Sequence, residues 1–165
     1  MRDRGGSLPL VDALAFLAVI SLASALLLSA QPPVEDARVG AERYAAAALR
    51  AILETTLEWP VLWVDHAPEV LDPGPVSEVL TEALHRDLDE EVNLGFLQAS
   101  VFALTHRLIR EDWGYHLGAV ARRGGDHASL HVGERFPGAA EYATATLLVG
   151  LEDGTRVVFR LDVAP

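Results

Sequence analysis

The stretch Ala145–Val163, ATLLVGLEDGTRVVFRLDV, decides the fold. Ala145, Leu147, Val149 and Leu151 take every second position before Asp153-Gly154, and Val157, Phe159, Leu161 and Val163 do so after it. Successive strand side chains point to opposite faces, so this period builds two ribbons with one apolar face each. Asp-Gly between alternating runs is the strongest short-range hairpin signal. Upstream, Tyr115, Leu117 and Ala119 alternate with His116 and Gly118, and Leu130 and Val132 with Ser129 and His131. The Gly-Gly pair within Arg122–Asp126 predicts the turn between those two runs, and Pro137-Gly138 the connection to the last hairpin. The C-terminal part is therefore expected to be an antiparallel sheet of about four strands.

Before Trp113-Gly114 the period is helical. From Val92 to Asp112 an apolar stripe runs through Leu94, Leu97, Val101, Leu104, Leu108 and Ile109. Its length predicts a helix, despite Gly95. It is uncharged from Val92 to Thr105, but Asn93, Gln98 and Ser100 dilute it and His106-Arg107 end it, which predicts a core helix rather than a membrane span. Val76, Val79, Leu80, Ala83, Leu84 and Leu88 predict another helix, with Ser77 as N-cap and Glu78 in the first turn. The acids Asp87, Asp89, Glu90 and Glu91 read as a solvated junction between the two. Pro60, Pro68, Pro73 and Pro75 predict a loop with a short extended piece at Val61–Val64. Residues 32–60 read as an amphipathic helix from Val34 to Glu58, ended by Trp59-Pro60. Val39, Tyr44, Ala47, Ala48, Ala51, Ile52 and Leu57 form its apolar side, and Arg38, Glu42, Arg43, Arg50 and Glu54 the other. Residues 61–165 then form an α+β head domain.

The N-terminal segment has a different character. Ala13–Ala30, ALAFLAVISLASALLLSA, carries no charge. As a helix it spans roughly 27 Å, close to the thickness of a bilayer's hydrocarbon core. Arg2 and Arg4 precede it while Glu35 and Asp36 follow Pro32-Pro33, so the N-terminus is expected in the cytoplasm and the head outside, in a single pass. A cleaved secretory signal would have a shorter apolar core, and Leu28-Ser29-Ala30 places a bulky residue where a small one is favoured. A plain signal anchor accounts for the length but not for Arg4-Gly5-Gly6 or Asp12. An acid beside a membrane helix is costly and usually has a partner.

Arg4-Gly5-Gly6, a short lead, Asp12 and a long uncharged helix together resemble the class III signal peptide of archaeal type IV pilin-like proteins. The resemblance implies a leader at residues 1–6 and a membrane or filament-core helix at residues 7–31. It implies a prepilin-type peptidase that cuts after Gly5 or Gly6 on the cytoplasmic side. Asp12 then falls at the sixth or seventh mature position, where it would pair with the amino terminus of a neighbouring subunit during assembly. The order of helix, helical middle and strand meander is similar to small proteins of that family. The implied function is a non-enzymatic subunit that is membrane-inserted and then joins or primes a type IV pilus-like surface filament of other pilin-like subunits. The alternative is a single-pass, membrane-anchored extracytoplasmic domain that binds a partner and never polymerises.

Composition narrows the chemistry. The chain has 165 residues, 13 basic against 24 acidic, and a net charge of −11. Such a balance disfavours nucleic acid, which needs a basic surface. The absence of cysteine excludes disulfides, zinc–thiolate sites and a cysteine nucleophile. His127 and His131 lie four positions apart on an expected strand, about 13 Å, too far to share one metal ion. Asp65-His66 with Glu69 reads as a polar loop, and the acids at 87–91 lack the spaced oxygen ligands of a calcium loop. No nucleophile elbow, phosphate loop or dinucleotide fingerprint is present. No catalytic residue, cofactor or metal is expected.

Small residues at the cut suit a peptidase that admits the backbone into a narrow groove. Replacing both Gly5 and Gly6 with Leu is expected to leave full-length precursor in the membrane fraction, read by intact mass. A normally shortened product would remove the ground for the resemblance.

Overall fold

A computed structural model describes residues 34–136 and 141–164. Residues 38–165 belong to one compact unit. Arg4, Gly5, Gly6, Asp12, the apolar segment Ala13–Ala30 and the Pro137-Gly138 connection lie outside the described residues. No described helix is long and apolar enough to cross a membrane.

The chain is α+β. Among the described residues it runs α1 (Val34–Glu54), β1 (Thr56–Leu57), β2 (Val61–Val64), β3 (Ala67–Val70), β4 (Gly74–Pro75), α2 (Val76–Arg86), β5 (Val92–Asn93) and α3 (Gly95–Leu108). Four long strands follow: β6 (Gly114–Arg123), β7 (Asp126–Gly133), β8 (Ala143–Gly150) and β9 (Arg156–Ala164). They form one antiparallel sheet in the order β7-β6-β9-β8. The expected C-terminal sheet of about four strands is thus present.

Alternation sets which face of that sheet is covered. Leu117, Ala119 and Ala121 of β6, Leu130 and Val132 of β7, and Val157, Phe159, Leu161 and Val163 of β9 are all buried in the core. Across the central pair, Leu117 meets Leu161 and Ala119 meets Phe159. Helix α2 packs on β6 and β7, and α3 on β7 and β2. Strand β8 lies at the sheet's edge, so Ala143 and Ala145 reach the core while Leu147 stays 45% exposed. The last hairpin differs from a two-residue turn. Its final pair is Gly150 with Arg156, Gly154 N donates to Leu151 O over 3.1 Å, and Gly154 has φ of 85°. Only glycine takes that conformation without strain, and the resulting bulge lengthens the loop.

The helical half departs from expectation in its boundaries. Helix α1 stops at Glu54, four residues before Glu58, because Thr56–Leu57 pairs with Gly74–Pro75. Thr55 and Thr56 are β-branched and suit that exit, and Thr55 Oγ1 bonds back to Ala51 O over 2.7 Å. The buried side of α1 is Ala45, Ala48, Leu49, Ile52 and Leu53. Ala47 and Ala51 face solvent, because Leu49 and Leu53 offer more apolar surface and turn the helix their way. Ser77 is not the N-cap of α2. Pro75 holds that position without a side-chain bond, and Val76 N instead donates to Thr55 O over 2.9 Å. Helix α3 begins at Gly95, since Val92–Asn93 pairs with β2 and Asn93 Oδ1 accepts from Gly95 N over 2.9 Å. Its buried line is Leu97, Val101 and Thr105, whereas Leu108 is exposed.

The proline-rich loop is a hairpin. Val64 pairs with Ala67, and Asp65 and His66 between them have φ of 49° and 68°. Both central residues in the left-handed region make a tight turn that matches strand twist. Pro68 is tolerated because β3 is an edge strand, exposed along its length.

These burials rank the cost of truncation. Phe159→Ala, at the fully buried centre, is expected to destabilise by about 3–5 kcal/mol. Leu148→Ala, exposed on β8, is expected within about 0.5 kcal/mol. Denaturant unfolding followed by tryptophan fluorescence checks both.

Candidate functional site

The face of the sheet opposite the helices is where the polar positions of each strand converge. Register defines its rows. One row aligns Gly118 of β6 with His131 of β7 and Arg160 of β9. Two residues along, Val120 aligns with Ser129, Val158 and, through β9, Leu148. Two further, Arg122 lies between His127 and Arg156. A row of His131 and Arg160, a row carrying Val120, Val158 and Leu148, and a row of Arg122, His127 and Arg156 therefore follow one another.

These rows line a trough of about 980 Å³, together with Arg135, Phe136 and Tyr142. Phe136 and Tyr142 stack at 5.9 Å. Among the described residues four arginines line the trough, with Asp162 as the single carboxylate. Asp162 is itself engaged: Oδ1 accepts from Thr144 Oγ1 at 2.6 Å and from Arg160 Nε at 2.9 Å. Among the described residues, Arg122, Arg135 and Arg156 form no ion pair. Like charges opposed across strands are destabilising, so the Arg122–Arg156 pair is held at a cost.

His116 and His131 stack at 5.3 Å with rings 16° from parallel. Gly118 makes this possible: a Cβ there would stand 3.2 Å from His131 Nδ1. His116 Nε2 and His131 Nδ1 are buried and have no hydrogen-bond partner among the described residues. Burial lowers the pKa of His116; Asp162 opposes this while Arg135 and Arg160 add to it. Burial also lowers His131, assisted by Arg135 and His116. The end of the trough thus combines neutral imidazoles with arginines, a set suited to binding anionic or hydrogen-bonding groups.

The histidines weighed from the sequence do sit on a strand, and His131 stacks on His116 rather than meeting His127. Asp65 and His66 form a hairpin turn, and Glu69 pairs with Arg86 at 2.5 Å. Among the described residues no group of three could hold a metal ion. The acidic junction is more structured than a solvated run. Asp89 pairs with Arg123, which also reaches Asp153 at 3.4 Å, and His85 Nε2 donates to Asp153 at 2.8 Å. The Thr155 backbone N–H, then His85, the Thr155 hydroxyl and Arg123 hold the Asp153 carboxyl well below its usual range. This network ties α2 to the last turn. The arginine rows were not anticipated, although positions 118, 120 and 122 and 156, 158 and 160 carry the alternation that builds them.

No protein-family model matches this chain, and no curated protein or solved structure does.

The histidine pair sets a pH dependence. Above about pH 6.5 neither state holds the proton; below it the unfolded chain takes up protons that the folded pair resists. Stability is therefore expected to fall as pH drops from about 6.5 toward 4.5, a window above the usual carboxylate range in which Asp153 still contributes fully. His131→Gln should show a smaller fall in urea unfolding than wild type. Equal slopes would overturn the assignment.

Proposed function

We propose that the chain is a non-enzymatic, pilin-like subunit. It inserts by Ala13–Ala30, loses its leader after Gly5 or Gly6, and joins or primes a type IV pilus-like surface filament. Its partners are the membrane, a prepilin-type peptidase and other pilin-like subunits. The observation that carries this reading is that the head's core is built on α1. Helix α1 begins at Val34, shortly after the apolar segment in sequence, and its second half supplies Ala45, Leu49, Ile52 and Leu53 to the head's core. Within residues 38–165 the head's core is built on this helix, which supports a subunit presenting one defined surface at each repeat.

The second reading, an anchored domain that binds a partner without polymerising, is favoured by the arginine-lined trough, a surface that a purely structural subunit does not need. The two differ in processing and location. Mass spectrometry of the surface fraction sheared from cells is expected to find the chain starting at Gly6 or Ser7. A start at Gln31 would sink the pilin-like reading. An intact Met1 retained with the cells would leave the anchored domain.

A further inference from the structure

The open face of the sheet repeats along the strands with a period that a ligand can match. The row holding His131 and Arg160 and the row holding Arg122 and Arg156 are four residues apart, with Val120 and Val158 between them. At about 3.4 Å per residue the two rows stand roughly 14 Å apart. An extended polypeptide lying along the strands has the same rise. An acid at its position i then meets the end lined by Arg135 and Arg160, an acid at i+4 meets Arg122 and Arg156, and an apolar side chain at i+2 meets the valines.

We propose that this trough binds an extended acidic polypeptide segment of the pattern acid-x-apolar-x-acid. Charge complementarity selects that occupant. Arg122 and Arg156 face each other across the strands without an acid among the described residues, in a chain whose net charge is −11. A bound carboxylate bridging the two relieves their repulsion, which no residue of the sheet does. A long polyanion such as nucleic acid or polyuronate would be repelled by the acidic remainder beyond the trough. A short segment with two carboxylates stays within it. The apolar row argues for a side chain between the acids, which a sugar chain lacks. This inference concerns the head alone and does not depend on leader processing or filament assembly.

The test uses the full chain in nonionic detergent and a fluorescein-labelled peptide centred on Glu-Ser-Leu-Ser-Glu, read by anisotropy. Saturable binding that weakens with salt is expected. Arg156→Gln and Arg122→Gln should each weaken it about tenfold, as loss of one charge-assisted contact does. Arg50→Gln, on the exposed side of α1, should leave it unchanged, and circular dichroism should show all three folded. Moving the acids to adjacent alternate positions, Glu-Ser-Glu, should cost a similar factor, because one carboxylate then meets the valines. Absence of saturable binding, equal affinity for both spacings, or tighter binding of an oligouronate or a single-stranded DNA of equal charge would each overturn the proposal.

Discussion

The pairing of β6 with β9 is the constraint on which the rest of this protein depends. Their register runs from Gly114 opposite Ala164 to Arg122 opposite Arg156. It puts two period-two sequences in phase, so that Leu117, Ala119 and Ala121 share a face with Leu161, Phe159 and Val157. A slip of one residue would carry Arg156 and Arg160 into the core, which no helix packed there could satisfy. Apolar burial on one face therefore fixes what appears on the other. The close approach of Arg122 and Arg156 is a by-product of that register, and its repulsion is small beside the burial of Phe159 and its neighbours.

Two small-residue devices let the layers meet. Ala119, Ala121 and Ala128 keep the core face of β6 and β7 low, where α2 and α3 lie against it. On the far face Gly118 leaves room for the stacked His116 and His131. Gly133 serves the end of β7: its φ is 85°, and a Cβ there would collide with the Tyr115 carbonyl oxygen. Backbone geometry thus determines where side chains crowd and where they leave a trough.

Charge is divided across the sheet. On the helical side, Arg86 and Arg123 are matched by Glu69, Glu82, Asp89 and Asp153. Each such exposed pair is worth little alone. Together they hold the end of α2, the acidic junction and the last turn in one place. On the open side the arginines outnumber the carboxylates, and Asp162 is already bound by Thr144 and Arg160. The protein is acidic as a whole and basic in one concavity, and binding follows local charge rather than the total.

By itself the sequence determined the elements with strong, local periods. The alternation in Ala145–Val163, the strands around Leu117 and Leu130 and the helix through Val79 and Leu84 were all legible, because side-chain direction follows from backbone period. Pairs between distant residues were not. Thr56–Leu57 leaves the helix to join Gly74–Pro75, and Val92–Asn93 leaves another to join β2. In each case a partner remote in sequence satisfied backbone groups that a local reading would assign to a helix or a loop. The trough belongs to the same class. Arg122, His127 and Arg156 sit in one row only after register and strand order bring β7, β6 and β9 together, and tertiary pairing alone decides that.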